Sequence, residues 1–580
     1  MVKKMKEVNC YSPTQLKLAF KPNLWDIAML FAILAMIVVI ASAAKQFDLP
    51  FRLGASIHIS LAPSALPAYA LQTVLRMFIG LFFSLLFTFI FATWAAHNRQ
   101  AEKIIIPIID VLQSVPVLSF LSLTIVAFIK IFPDSLFGPE CASIFLVFTA
   151  QAWNMALSFY QSLKTVPRDY IEAADMFGLS AWQRFWRVEA PFAMPALLWN
   201  IMMSMSACWF ALVASEALFV SGQKIVLPGI GSYIALAIQQ ANSFAIFYAI
   251  VAMFFTILIY DQIIFRPLVK WAEKFKVEQA SSDKSNGSWV MNIWLHTRVF
   301  RDIASRFGRQ IEKIINTQYF RGRRSYVTPV SSRYMRKIDW AWNFIFILIL
   351  FAAMYILVSF IKQQLKISEV FLVLKLGCYT ALRVIATIIF CTLVWVPIGV
   401  WIGLRPKYAA VIQPIAQFFA AFPANLLFPI VVVVIVRWHL NVNIWTTPLM
   451  ILGTQWYVLF NVVAGAAAIP KDLKQVIENF GVRGWLWWRR LILPGIFPYY
   501  ITGAITAVGG AWNASLVAEV VTWGKTTLEA KGLGAYVTHN TGDFSHTVLG
   551  VSVMCLLVFS LNHIVWRPLY RVAVRRYQIE

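Results

Sequence analysis

The chain has 580 residues, of which 60% are hydrophobic and only 13% charged, and its mean hydropathy is +0.70. A soluble protein of this length needs far more charge to cover its surface, so composition excludes a soluble globular enzyme and places the chain among polytopic membrane proteins. The formal net charge of +24 then reflects Lys and Arg collected in cytoplasmic loops and does not call for a nucleic-acid partner.

Residues 1–23 read as a basic cytoplasmic tail. The apolar run after it ends in Ala41-Ser42-Ala43, which imitates a signal cleavage site, but the run is longer than a signal core and reads as a retained first span. Apolar runs close to the roughly 20 residues that cross a bilayer predict six spans in a first repeat over 24–268, at 24–45, 70–95, 104–132, 141–160, 192–220 and 243–266. A basic cytoplasmic linker follows at 269–337. The stretch 266–337 holds 16 Lys/Arg against five Asp/Glu, a balance suited to anionic lipid. Its part 279–288 is polar. Beyond it Val299, Ile303, Phe307, Ile311, Ile314 and Ile315 recur at helical spacing among Arg301, Arg306, Arg309 and Lys313. That pattern predicts an amphipathic helix, either lying on the inner leaflet or packed on protein. A second repeat over 338–580 carries six more spans, at 338–361, 374–404, 409–437, 444–468, 497–521 and 545–567. The loops 97–103, 164–187, 266–337, 405–407 and 471–490 are rich in Lys or Arg and fall on one side, which puts both termini in the cytoplasm.

The two halves are copies. Pro167, Glu172, Gly178, Pro191, Trp209, Glu216, Gly229, Gly231 and Tyr233 stand 303 residues before Pro470, Gln475, Gly481, Pro494, Trp512, Glu519, Gly532, Gly534 and Tyr536. Earlier in each half the offset is 307, matching Arg76 with Arg383, Pro107 with Pro414, Pro116 with Pro423 and Lys130 with Arg437. An even number of spans per half inserts both the same way up, so the fold class is an all-α membrane protein of about 12 helices in two parallel repeats. A pathway would follow the pseudo-twofold axis along the membrane normal.

One cytoplasmic segment of each repeat has a distinctive frame. In the first, Glu172-Ala173-Ala174 precedes Gly178 by three residues, and Val188 and Ala190-Pro191 follow; the second runs Gln475-Val476-Ile477, Gly481, Leu491, Leu493-Pro494. Alanines keep a surface helix low in profile, and a Glu offers a charge-assisted contact to a cationic partner. Gly permits the positive φ that ends the helix, and Pro suits the start of the next one. The frame, twice over, resembles the "EAA" loop of binding-protein-dependent ABC importer permeases of type I, closest to those for nitrate, sulfonate and taurine, including their duplicated members. The resemblance implies that Glu172, Ala173, Ala174, Gly178 and Pro191, with Gln475, Glu478, Gly481 and Pro494, receive force from an ATPase. The second loop departs from the pattern: Gln475 replaces the acid, and Glu478 one turn on offers a substitute. Asymmetric coupling, with the Glu172 loop dominant, is the expectation.

Ionisable groups inside spans are functional suspects. Arg76 and Arg383, with Glu216 and Glu519, either form an Arg–Glu pair that locks two helices in each half or leave the arginines to meet an anion in transit. Lys130 and Arg437 occupy the outer end of the third span in both repeats; they either draw an anion to the mouth by their field or snorkel into headgroups. Gly524-Lys525-Thr526 imitates the end of a P-loop, but Glu519 stands where its first Gly is required. The six cysteines and seven histidines form no metal-ligand or catalytic set, so the chain reads as a transport subunit that is not an enzyme, binding no metal or cofactor. The resemblance implies a bacterial inner-membrane permease importing a small anion such as nitrate, a sulfonate, taurine or bicarbonate. It further implies two cytoplasmic ABC ATPase subunits carrying ATP and Mg, a periplasmic or lipid-anchored solute-binding protein, and contact with membrane lipid. The competing reading is an ion-coupled secondary carrier with 12 spans in two parallel halves.

Overall fold

The computed structural model describes residues 59–268 except 115, 134, 221 and 222, scattered positions from 306 to 356, and residues 358–577 except 524, 525, 541 and 542. The tail 1–23 and the expected span 24–45 lie outside the described residues, as do most of the linker 269–337 with its amphipathic pattern, most of the span 338–361, and Gly524-Lys525. Among the described residues seven helices are long and apolar enough to cross a membrane, or up to nine if each of two bent pairs is one span. The twelve expected spans exceed nine by the first span of each half and by the third span of the first repeat. That third span is built from Arg99–Ser114 and Leu121–Ile131, 16 and 11 residues long.

The repeats follow one order. Pro63–His97, the broken third span, Phe137–Lys164, the short Arg168–Met176, Ala190–Ser215, a two-stranded hairpin, Ile230–Gln239 and Ser243–Leu268 are matched by an equivalent second series. That series is Ile367–Gly403, another broken span, Val442–Ala468, Lys471–Asn479, Leu493–Ala518, a hairpin, Leu533–His539 and Phe544–Ala573. Proline stands at the start of several of these helices, at Pro67, Pro406, Pro429 and Pro448, where its missing N–H leaves no bond unmade.

The third and fifth spans of both repeats depart from continuous spans at the expected bounds. The third spans 104–132 and 409–437 are not continuous. In the second repeat Pro406–Ala421 and Ala424–Arg437 meet at 71°. Pro116 and Pro423 stand at the breaks, because each removes an N–H from the helical ladder and its ring crowds the preceding turn. The fifth spans stop at Ser215 and Ala518, short of 220 and 521. Beyond them Ala217–Val220 pairs antiparallel with Gln223–Val226, and Val520–Trp523 with Thr526–Glu529. Thr526 of the P-loop imitation therefore opens a strand, whereas a phosphate-cradling loop runs into a helix at that point. These four-residue strands leave the all-α membrane architecture intact.

Repeat-equivalent Trp209 and Trp512 are fully buried, one in each core. The cores interlock across the repeats: Leu426 packs in the first and Phe210 in the second, and the Phe254 and Phe418 rings meet at 4.7 Å. Free Cys141, Cys208, Cys378, Cys391 and Cys555 are spread along the helices.

Candidate functional site

Both coupling-loop candidates are short helices capped in the same way. Arg168–Met176 starts after Pro167 and Lys471–Asn479 after Pro470. At the C-terminal end of the first, the N–H of Gly178 donates to the carbonyl of Asp175 and that of Leu179 to Ala174; Gly481 and Val482 repeat this on Glu478 and Ile477. This paired closure requires a left-handed residue, and Gly178 and Gly481 have φ of 66° and 64°. The next helix of the first loop opens with a capping box between Ser180 and Gln183. A π-turn follows in both repeats, Phe185–Glu189 and Trp488–Ile492, just before Pro191 and Pro494. Glu172, Gln475 and Glu478 are exposed, and Ala174 is buried beneath its helix. Met176 and Phe177 are 89% and 84% exposed, and Phe480 is 79% exposed. Large apolar side chains this bare beside a charged helix form an exposed patch of the kind that meets a protein partner or a membrane. Asn316 of the linker accepts hydrogen bonds from Gln183 and Arg187, so this part of the linker touches the first loop.

The loops differ in how they are tied to the membrane helices. In the first repeat Arg184 bridges Asp175 at 3.4 Å and the buried Glu189 at 2.9 Å, and Glu189 also meets His97 at 2.7 Å. The matching positions in the second repeat are Trp487, Glu478, Ile492 and Leu404, of which only Glu478 is charged. Sequence reading missed this network; its signal was the acid Glu189 between two apolar elements.

A buried ion-pair clamp sits at the other end of each repeat. Arg76 donates to both oxygens of Glu140, at 2.5 and 2.7 Å, and to Glu216 at 2.7 Å. Arg383 donates to Glu519 at 2.7 Å and to the carbonyl and side-chain oxygens of Asn443. Glu140 and Asn443 are repeat equivalents, and neither was singled out from the sequence. Thr73 and Thr380 donate to the same carboxylates, and the N–H groups of Gly231 and Gly534 each reach one at 2.7 Å. This accounts for the Gly-x-Gly pattern. A Cβ at Gly229 or Gly532 would collide with the Glu216 or Glu519 carboxyl group, and one at Gly231 or Gly534 with the backbone of the preceding helix. Gly229→Ala is accordingly expected to destabilise the folded chain by about 1–3 kcal/mol through overpacking. Thermal unfolding in lipid nanodiscs measures it, with Gly509→Ala, which meets nothing within 4 Å, as the control. The arginines are thus engaged by carboxylates between helices.

Lys130 and Arg437 lie exposed in the last turns of Leu121–Ile131 and Phe428–Arg437, where a cation complements the helix dipole. Neither lines the cavity between the repeats. That cavity, of about 40 Å³, is lined by matched pairs from both halves, among them Ala150 and Gly453, Ala207 and Gly510, and Phe210 and Asn513. Equivalent residues facing one space place it on the pseudo-twofold axis. Its volume admits only a few waters, each needing about 10–15 Å³. Val117, just past the break at Pro116, donates its N–H to Asn513 across the repeat boundary. In the other direction Asn425 donates to the carbonyl of Phe210. The broken third spans therefore meet the fifth spans of the opposite repeat at the axis. Among the described residues no group of three or more His, Cys, Asp or Glu is placed to hold a metal ion.

The profile of a family described as binding-protein-dependent transport system inner membrane component matches twice, at residues 84–266 and 395–576. The bicarbonate transport system permease protein CmpB of Synechocystis sp. is 27% identical over 139 residues, 24% of this chain and 45% of that protein. The taurine transport system permease protein TauC of Escherichia coli is 26% identical over 184 residues, 31% of this chain and 62% of its own length. The nitrate import permease protein NrtB of Leptolyngbya laminosa is 26% identical over 185 residues, 32% and 63%. The chain spans about half the length of the first of these curated relatives and under two thirds of the other two.

Proposed function

The chain belongs to the family of binding-protein-dependent transport system inner membrane components, with the family unit present twice, and from that premise we propose that it forms the whole membrane pathway of an ATP-driven importer for a small anion. Two cytoplasmic ATPase subunits, carrying ATP and Mg, dock on the loops at Glu172 and Gln475. Their closure draws the loops together and opens the axial cavity outward, and an external solute-binding protein delivers the substrate there. Both termini lie in the cytoplasm. The observation that carries this reading is the pair of identically capped loop helices at matching repeat positions, each beside large exposed apolar side chains. The substrate class rests on the bicarbonate, taurine and nitrate named for the relatives. Family membership does not favour the ion-coupled carrier.

The test is co-purification of the tagged full chain with ABC ATPases encoded beside it, then ATPase assay in nanodiscs. The expected result is a stoichiometric ATPase whose activity depends on the chain and falls when the Glu172 loop is disrupted. A chain that purifies alone and moves solute under an ion gradient would replace this reading with the carrier.

A further inference from the structure

The seam that closes the axial cavity is built differently from its two sides. Two side-chain hydrogen bonds cross it. In each, the side chain belongs to the second repeat and its partner is a main-chain group of the first. Asn513 accepts from the N–H of Val117, and Asn425 donates to the carbonyl of Phe210 at 3.2 Å. The repeat equivalents of Asn425 and Asn513 are Leu118 and Phe210, both apolar. A seam carried over unchanged from the duplication would show the same side chains on both sides.

The two bonds occupy corresponding places. Val117 and Asn425 follow the breaks at Pro116 and Pro423. Val117 opens the short turn Val117–Phe120, so its N–H has no acceptor within that turn and is open to a partner from outside. Phe210 and Asn513 stand near the ends of Ala190–Ser215 and Leu493–Ala518 that lie away from the coupling loops. Around the bonds the seam is apolar. The Phe210 and Phe428 rings lie 6.4 Å apart, and the described residues lining the cavity of about 40 Å³ carry no charge. An anion entering it would lose its water and find no cation in exchange, which is costly. The seam is a barrier for as long as it stays shut.

The bonds are not equally secure. Asn513 is satisfied on both sides of its amide, since its Nδ2 also donates to the carbonyl of Gly509 at 3.1 Å. The Oδ1 of Asn425 is buried and meets no hydrogen-bond partner in the protein. An unpaired buried acceptor destabilises the shut seam relative to a parted one that water can reach. Such a contact suits a closure that must break in every cycle.

We propose that Asn425 and Asn513 latch the pathway shut, and that the seam parts at these two bonds when the side away from the coupling loops opens. The latch rests on reading the axial cavity as the pathway of an importer.

The test reads the seam directly. Gly453→Cys places a thiol on the cavity wall, where an added Cβ meets only Ala424 and Ala514, at 3.7 and 3.9 Å. Cys208, 0% exposed in the first core, serves as the internal control. Right-side-out membrane vesicles holding the full chain are treated with a membrane-impermeant, negatively charged methanethiosulfonate, and labelling at both positions is followed by peptide mass. Adding Asn425→Leu/Asn513→Leu is expected to speed labelling at position 453 about tenfold, the scale of two modest interhelical hydrogen bonds, with Cys208 unchanged. If Cys208 labels faster as well, the single Asn425→Leu, which copies its repeat equivalent, takes the place of the double variant. Equal rates at position 453 with and without the substitutions would overturn the latch. The readout needs no ATPase. A chain that purifies without one but labels faster in the variant would remove the importer reading and keep the latch, whereas an ATPase-coupled chain with equal rates would do the reverse.

Discussion

Arg76→Met is expected to destabilise the folded chain by about 3–5 kcal/mol, the range for removing one partner of a buried ion pair, and to cost more than Arg383→Met. The difference follows from what each substitution leaves behind. Without Arg76, the carboxylates of Glu140 and Glu216, 2% and 0% exposed, face each other with no cation. Without Arg383, Glu519 remains beside the neutral Asn443 and keeps its bonds from Thr380 and Gly534. The same comparison predicts the mildest variant of the set. Glu140→Gln copies the neutral partner of the second repeat and leaves the Arg76–Glu216 pair whole, so its cost should stay within about 1.5 kcal/mol, the net worth of an ordinary hydrogen bond. Thermal midpoints of the four proteins in the same nanodiscs decide the matter. A Glu140→Gln variant as unstable as Arg76→Met would show that both carboxylates are needed to satisfy the arginine.

The sequence revealed much of this architecture through its duplication. A 303-residue offset aligned the loops, and the two Gly-x-Gly-Tyr stretches with the glutamates before them lay in plain view. The pairing of Arg76 with Glu216 stood as one of two readings, since both side chains are charged and each lies in an apolar span. Its third member was harder to find. Glu140 is 64 residues from Arg76, and its repeat partner is an Asn, so a search for matched charges passed over it. The interruption of the third spans was legible in Pro116 and Pro423, which break the i→i−4 ladder in mid-span; the 71° bend in the second repeat was not, because hydropathy registers apolar length and not helical direction. The hairpins escaped for a related reason: Ala-Leu-Phe-Val at 217–220 extends an apolar run as well as any helix does. The axial cavity is lined largely by Ala and Gly, which carry no chemical signature and acquire meaning only when two repeats bring them face to face.

The loops should not share their load equally. In ATPase assays of the assembled transporter, Glu172→Ala is expected to lower substrate-stimulated turnover about tenfold or more, the scale of a lost charge-assisted hydrogen bond. Gln475→Ala should lower it only a few-fold, the scale of a neutral one. The geometry beneath the loops reinforces the difference. On the proposed function, force received at Arg168–Met176 would pass through the Asp175–Arg184–Glu189–His97 contacts to the end of Pro63–His97, a directional polar link. At Lys471–Asn479 the matching route runs through Trp487, Ile492 and Leu404, apolar side chains that transmit compression but have no fixed hydrogen-bond geometry. Arg184→Ala should therefore lower coupling with little change in ATPase binding, since Arg184 is three-quarters buried behind the docking face. Trp487→Ala should act chiefly on stability. The rival arrangement gives Glu478 the role that Glu172 has in the first loop. In that case Glu478→Ala would match Glu172→Ala, and the two repeats would couple alike through acids one turn apart. Equal losses for Glu172→Ala and Gln475→Ala would remove the asymmetry altogether. The polar link of the first repeat would then be a local brace for the Glu189 carboxylate, with no part in the transfer of force.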